Sequence, residues 1–335
     1  MSFPSPARAL AAAFTAVLLA ASFLQAPAQA AAPEYVALGD SYSSGTGTRS
    51  YLADGSSCQR STSAYPALLA ASRGWTLNFR ACSGARIPDV RGTQLSALTS
   101  TTRYVTISVG GNDAGFADVL TECALPGWMS SCHRAVDRAQ AFINGPLPGR
   151  LAGLYASIRS RAPYARVVVV GYPRIFMGED CNAATFFSPA EQSRLNQTAD
   201  LMNARTATQA ATAGFRFADP TSAFLGHAVC DRAEWINGLS WPVTESYHPS
   251  VAGQGSGYTP TVSAQLTGVA LRADGALMRA SAAGAGALAV RQRKYAAADR
   301  TIRPKELTAP DLTTEAARSA AREAGIDLDR WLARH

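Results

Sequence analysis

The feature that most constrains the fold of this chain is the alternation of short β-rich runs with longer helical stretches. Candidate strands are 35–38, 77–79, 104–109, 167–170 and, more weakly, 215–217, and stretches with helical composition and apolar spacing are 65–71, 147–161 and 189–212. The β-branched run 167–170 is typical of a central strand covered on both faces. This alternation predicts an α/β fold with a parallel sheet between helices, and a ligand crevice beyond the carboxyl ends of its strands.

Charge and composition exclude several other classes of protein. The chain has 335 residues, of which 47% are hydrophobic and 16% charged, so a sizeable core can be buried and extensive disorder is not expected. The formal charge is +7, yet only 18 basic and 16 acidic residues lie between Ala31 and Gln265. A body so close to neutral lacks the basic stripe that phosphate neutralisation requires, and we expect no nucleic-acid partner.

The two ends of the chain differ in character from the middle. Residues 1–30 have the features of a secretion signal: Arg8, an apolar run over 9–23, and a small-x-small sequence at 28–30. That run is shorter than the ~20 residues of a spanning helix, so cleavage is favoured over a membrane anchor. We therefore expect a secreted, monomeric protein without stable membrane insertion. Residues 31–265 form the predicted catalytic domain, and 266–335 an Ala/Arg-rich extension, partly helical (314–333) or disordered.

Six cysteines in an exported chain indicate disulfides, although six cysteines allow 15 connectivities. Sequential pairing is favoured, because each neighbouring pair would close one loop between successive strand–helix units. No CxxC motif occurs, and the histidines are not spaced as companion ligands. We therefore expect no metal and no cofactor.

Ser41 and His248 are the candidate catalytic pair. Ser41 lies in the sequence GDSYSSG directly after the first predicted strand, and His248 lies in ESYHP late in the chain. Taken singly, Ser41 could be a helix-capping serine and His248 an ordinary loop histidine. A serine hydroxyl is inert until a base removes its proton, so the two residues need each other. The G-x-S-x-G elbow of α/β-hydrolases is absent, because position 43 is Ser.

Two further residues are candidates for stabilising an oxyanion. Gly84 in ACSGA and Asn112 in GGND follow the next two predicted strands. Each would be a plain turn residue by itself. An ester hydrolase needs hydrogen-bond donors for the oxyanion that develops on the carbonyl oxygen, and a backbone N–H at 84 with a side-chain amide at 112 would supply them.

These four blocks, GDSYSSG, ACSGA, GGNDAGF and SYHP, resemble the SGNH/GDSL hydrolases, most of all the secreted actinobacterial lipases, esterases and phospholipases. The resemblance covers roughly residues 35–265. It implies a flavodoxin-like three-layer αβα sandwich with a five-stranded parallel sheet, and the sequential bridges Cys58–Cys82, Cys123–Cys132 and Cys181–Cys230. It also implies Ser41 as nucleophile, His248 as general base and then general acid, and an oxyanion hole formed by the Ser41 N–H, the Gly84 N–H and the Asn112 side chain.

One position departs from the family pattern. Many members have Asp three residues before the histidine, whereas this chain has Glu245. Either the Glu245 carboxylate or a main-chain carbonyl near Ser246 would orient the imidazole, and the greater length of glutamate favours the carbonyl slightly.

The predicted function is that of a secreted serine esterase or lipase acting on carboxylic esters, which include acylglycerols, phospholipids and small acyl esters. Two alternatives stay open: a carbohydrate O-acetyl esterase with the same catalytic set, and a non-catalytic binding protein on the same scaffold. Phe116, Trp235 and Trp241 either line an acyl pocket or pack beneath a long loop, and the sequence does not separate these alternatives. No obvious helical lid is present in the sequence, which predicts an open site.

Overall fold

Five strands form one parallel sheet in the part of the chain that a computed structural model describes, residues 1–2 and 31–333. The strands are β1 (Glu34–Gly39), β2 (Thr76–Phe79), β3 (Tyr104–Ser108), β4 (Arg166–Val170) and β5 (Arg216–Ala218). Their order across the sheet is β2-β1-β3-β4-β5. The predicted secretion signal lies almost entirely in 3–30, outside the described residues. No helix within 31–333 is long and apolar enough to cross a bilayer.

Helices occupy the connections between the strands and the region after them. They are α1 (Ser41–Ser44), α2 (Tyr65–Arg73), α3 (Ile87–Asp89), α4 (Phe116–Cys123), α5 (Cys132–Asn144), α6 (Pro146–Arg161), α7 (Pro189–Thr212), α8 (Thr259–Thr267), α9 (Gly275–Ala283), α10 (Ala285–Arg293), α11 (Ala296–Asp299), α12 (Glu315–Glu323) and α13 (Leu328–Leu332). The helix α7 begins with a capping box, in which Ser188 and Glu191 bond to each other's backbone N–H.

Both faces of the sheet are buried, which explains the continuous apolar runs of β1 and β4. In β1, Tyr35 and Ala37 point into one apolar cluster, and Val36 and Leu38 into the other. The first cluster contains residues of α2 and α8, and the second contains the apolar side of α6 and part of α7. This arrangement confirms the predicted three-layer αβα fold with its five-stranded parallel sheet.

Three disulfides tie the connections together. The structure joins Cys58 to Cys82, Cys123 to Cys132, and Cys181 to Cys230, which is the sequential pairing. The second of these bridges fixes the end of α4 to the start of α5. These two helices were not predicted from the sequence.

The extension after residue 265 is folded against the rest of the chain. The described residues from Ala32 onward form one compact unit, so the extension is part of the same body as the sheet. The helix α9 packs against α2, and α10 packs against the edge strand β2. Asp299 of α11 is fully buried and forms ion pairs with Arg60 and Arg80, two buried arginines of the sheet region. These charge contacts are a physical reason for the packing that the Ala/Arg-rich composition did not indicate.

Candidate active site

Ser41 and His248, separated by 207 positions in sequence, meet at the carboxyl edge of the sheet. The His248 Nε2 and Ser41 Oγ atoms lie 2.8 Å apart, within hydrogen-bond distance. Ser41 is the first residue of α1. Asp40, the N-cap of this helix, lies between it and the end of β1. A Cβ atom at Gly39 would overlap the main chain of Ser108, so only glycine allows β1 to approach β3 so closely at this turn.

A main-chain carbonyl orients the His248 ring. The Nδ1 atom lies 2.9 Å from the carbonyl oxygen of Ser246 and donates to it in the tautomer that leaves Nε2 free to accept from Ser41. The Glu245 carboxylate, the other candidate, is turned away. It accepts a 2.6 Å hydrogen bond from Tyr51 Oη and pairs with Arg49 at 3.4 Å. Of the two alternatives for orienting the ring, the carbonyl is therefore the one in place, and Glu245 is corrected as a candidate for that role because its carboxylate contacts Tyr51 and Arg49 instead.

Burial lowers the pKa of His248 to about 4, and the hydrogen bond to the Ser246 carbonyl acts in the opposite direction. The imidazole is consequently neutral at physiological pH. A neutral ring is the form that can accept the serine proton.

The two candidate oxyanion donors line the same cleft as Ser41 and His248. Gly84 has a φ of +80°, a conformation that favours glycine. The Nδ2 atom of Asn112 donates a 3.1 Å hydrogen bond to the carbonyl of Ala85. A second bond runs between the same two loops, from the Ile87 N–H to the Asp113 carboxylate at 3.0 Å. The loops that carry Gly84 and Asn112 are thus fixed to each other.

Asp40 and Tyr172, which sequence reasoning did not single out, connect the nucleophile loop to the Asn112 loop. The Asp40 carboxylate accepts from Tyr172 Oη at 2.6 Å, and Tyr172 Oη in turn accepts from the Gly111 N–H at 3.3 Å. Asp40 also accepts from Ser108 Oγ at 2.7 Å. Desolvation by burial raises its pKa to about 6, while these hydrogen bonds act against the increase. Two features of the sequence could have indicated these residues: Asp40 is the Asp of the GDS block, and Tyr172 lies just after β4.

The cleft continues from the polar groups into an apolar region between α4, α5 and α7. Its lining includes Val119, Leu120, Ile143, Leu195 and Met202. Among the aromatic residues considered from the sequence, Phe116 lines the cleft.

The two tryptophans lie elsewhere. The ring of Trp235 stacks on His227 with the ring centres 3.6 Å apart, and Trp241 is 75% exposed. Neither belongs to the cleft lining, so the acyl-pocket alternative is wrong for these two residues.

Among the described residues, one cluster of potential metal ligands occurs, and it does not fit a cation site. Cys181, Cys230 and Glu234 bring three potential ligand atoms within 4.8 Å of one another. The two sulfurs are joined in a disulfide, however, and a thiolate is the form of cysteine that binds metals.

Comparison with known proteins identifies relatives of this fold and site. The model of the GDSL-like Lipase/Acylhydrolase family matches residues 37–255. A lipase of Streptomyces rimosus is 48% identical over 233 residues, which is 69% of this chain and 86% of that protein. Lipase 1 of Streptomyces coelicolor is 45% identical over 250 residues, 74% of this chain and 92% of that protein.

Two solved structures are similar as well. The crystal structure of an extracellular lipase from Streptomyces rimosus is 47% identical, with a TM-score of 0.67, and the match covers 70% of this chain and 100% of that one. A phospholipase A1 from Streptomyces albidoflavus is 43% identical, with the same TM-score and the same coverage.

Proposed function

The chain belongs to the GDSL-like lipase/acylhydrolase family, and from this premise we propose that it hydrolyses lipid esters by two-step acyl transfer through Ser41. The observation that carries the proposal is the 2.8 Å contact of Ser41 Oγ with His248 Nε2 in a cleft that Gly84 and Asn112 also line. In this proposal these residues serve as nucleophile, base and oxyanion donors for one ester carbonyl.

In the proposed first step, His248 takes the proton of Ser41 as the hydroxyl attacks the ester carbonyl. The N–H groups of Ser41 and Gly84 and the Asn112 side chain donate to the oxyanion of the tetrahedral intermediate. The protonated His248 then gives its proton to the leaving alcohol. In the second step it activates water, which releases the acid and regenerates the serine. The Ser246 carbonyl stabilises the imidazolium that forms in each step.

The apolar lining of the cleft supports a substrate with a hydrocarbon chain. Lipases and a phospholipase A1 are among the similar proteins, which favours acylglycerols or phospholipids. The substrate of a carbohydrate O-acetyl esterase has only a methyl group on its acyl carbon, which would leave the apolar region that extends to Ile143 and Met202 unfilled. A non-catalytic binding protein has no need of a serine and a histidine aligned in this way.

Secretion as a monomer is also part of the proposal. Three disulfides are typical of an oxidising compartment. A similar solved structure is that of an extracellular lipase. Residues 1–30 would be the cleaved signal, and N-terminal sequencing of protein from the culture medium tests the cleavage after Ala30.

Labelling with a fluorophosphonate tests the chemistry. We expect the wild type to be labelled and to hydrolyse p-nitrophenyl esters and phospholipid vesicles, and Ser41→Ala to lose both the label and at least about 10³-fold in kcat. Glu245→Gln is the matched control: it keeps the hydrogen bond from Tyr51 and should retain labelling and activity within about threefold. Unchanged hydrolysis by Ser41→Ala would refute the proposal.

A series of esters from acetate to hexadecanoate separates the substrate classes. A lipid hydrolase should remain active on esters of medium and long chain length. A steep loss beyond the shortest acyl groups would instead indicate an O-acetyl esterase.

A further inference from the structure

A segment of the C-terminal extension crosses the catalytic cleft. We call residues 303–307 the strap. It follows Ile302, which is buried against the Cys58–Cys82 bridge and Ala85. The next residue after the strap is Thr308, whose N–H donates a hydrogen bond to Thr121 Oγ1 of α4 at 3.0 Å. Between these two points, Pro304, Lys305, Glu306 and Leu307 all line the cleft that contains Ser41 and His248.

The strap lies directly against an oxyanion donor. A Cβ atom at Gly84 would overlap the main chain of Pro304, so the two backbones are in van der Waals contact. Beyond Pro304, Lys305 forms an ion pair with Asp118 of α4 on the cleft rim. The strap therefore reaches from the loop of Gly84 to the helix that forms one side of the cleft.

Leu307 extends the strap into the apolar part of the cleft. It is 8% exposed and packs in the same apolar cluster as Val119 and Leu120. These two residues of α4 also line the cleft. A hydrocarbon chain bound along α4 would thus meet the Leu307 side chain as part of its wall.

The strap is anchored on both sides of the cleft. Before it, Asp299 is held by Arg60 and Arg80 in ion pairs without solvent exposure. After it, the Thr308 N–H donates the hydrogen bond to Thr121 Oγ1 that fixes the strap to α4. Anchors of this kind make the strap a defined wall of the cleft.

The strap lies outside the part of the chain that the family shares. The family match ends at residue 255. The match to the solved Streptomyces rimosus lipase includes the whole of that chain but only 70% of this one. A wall built from 303–307 is therefore an addition to the shared site.

We propose that the strap determines acyl specificity, with Leu307 limiting the length of the hydrocarbon chain that the cleft accepts beside Gly84. The inference rests on the proposed ester hydrolysis. It assigns to the extension a role in selecting the substrate, and it replaces the open site that the sequence predicted with a partly enclosed one.

The test compares two leucines of the extension. Leu307→Ala removes side-chain atoms from the cleft wall, whereas Leu312→Ala removes the same atoms from an equally buried position that does not line the cleft. The measured quantity is the ratio of kcat/KM for p-nitrophenyl dodecanoate to kcat/KM for the butyrate. We expect Leu307→Ala to raise this ratio about tenfold and Leu312→Ala to leave it within about twofold of wild type.

Leu307→Phe supplies the opposite change and keeps the proposal testable if Leu307→Ala does not fold. The larger phenylalanine ring should lower the same kcat/KM ratio by about tenfold. An unfolding temperature close to that of the wild type would show that the variant is folded. An unchanged ratio in folded Leu307 variants, or the same change in Leu312→Ala, would overturn the proposal. If the ratio is unchanged while fluorophosphonate labelling still requires Ser41, the strap proposal alone fails. Activity that survives Ser41→Ala refutes the proposed function instead.

Discussion

At the scale of single residues, the site combines a neutral imidazole with a buried carboxylate next to the nucleophile. Burial lowers the pKa of His248 to about 4 and raises that of Asp40 to about 6. The two shifts have the same cause, since burial disfavours the charged form of either group. Both Asp40 and His248 therefore change their charge in the acid range. Protonation of His248 should abolish its function as a base, whereas protonation of Asp40 should only weaken hydrogen bonds next to the nucleophile.

We predict that the enzyme keeps activity at pH values where a free imidazole would be protonated. His248 works as a base only when neutral, so a pKa of about 4 instead of about 6.5 extends its working range to lower pH. The pH profile of kcat/KM should show a final acid limb near pH 4. Protonation of Asp40 near pH 6 should add a smaller, partial decrease, because a neutral carboxyl binds Tyr172 and Ser108 less strongly.

Asp40→Asn separates the two titrations. Asparagine cannot ionise, so the partial decrease near pH 6 should disappear while the limb near pH 4 remains. An acid limb at about pH 6.5 in Asp40→Asn would contradict the assigned burial of His248.

Three of the four candidate site residues could be predicted from their position after a strand, and the fourth, His248, from the SYHP block that resembles the family. Ser41, Gly84 and Asn112 each follow a strand of the sheet, and parallel strands bring their carboxyl ends to one edge. The direction of the Glu245 side chain could not be predicted in this way. It depends on Tyr51 and Arg49, which are nearly 200 positions away in sequence and carry no motif.

At the scale of secondary-structure elements, hydrophobic periodicity located the sheet but not the elements that depend on long-range contacts. The five strands were predicted to within a residue or two, most clearly β1 and β4, whose apolar runs are continuous because both faces are buried. The short helix α11 has no such pattern. Its position depends on Asp299, a charged residue buried between two arginines, and burial of that kind cannot be inferred from local sequence.

We predict that Asp299→Asn lowers the free energy of unfolding by about 3 kcal/mol, because loss of one partner leaves a buried charge uncompensated. Arg60 would keep its ion pair with Asp54, whereas Arg80 would lose its carboxylate partner. Urea unfolding followed by circular dichroism measures the change.

Glu315→Gln is the control for Asp299→Asn. It also removes an acidic partner of an arginine in the extension, but its pair with Arg322 is exposed, so the urea midpoint should not move measurably. Equal midpoints for wild type and both variants would show that the Asp299 pairs contribute nothing to folding.

At the scale of the whole molecule, the boundary of the family match does not coincide with the boundary of the folded unit. The match ends at residue 255, but the compact unit continues through the extension. The composition after residue 265 suggests a separate segment, because alanine and arginine dominate and strand signals are lacking. Its attachment depends on Arg60 and Arg80, whose partner Asp299 lies more than 200 residues further along the chain.

This attachment determines what truncation should do. A chain that ends at Gln265 lacks Asp299, and it uncovers the side chains that α9 and α10 bury on α2 and β2. We expect it to be insoluble or to unfold far below the full chain in a thermal scan, with loss of fluorophosphonate labelling. A chain that ends at Thr313 keeps Asp299, the strap and Leu312, and lacks only α12 and α13. It should therefore fold, label at Ser41 and retain the chain-length profile of the full protein.

The contradicting outcome would be a chain ending at Gln265 that unfolds at the same temperature as the full chain. The extension would then be a separable segment, as its composition suggests. The buried ion pairs of Asp299 would not be needed to hold the catalytic domain together.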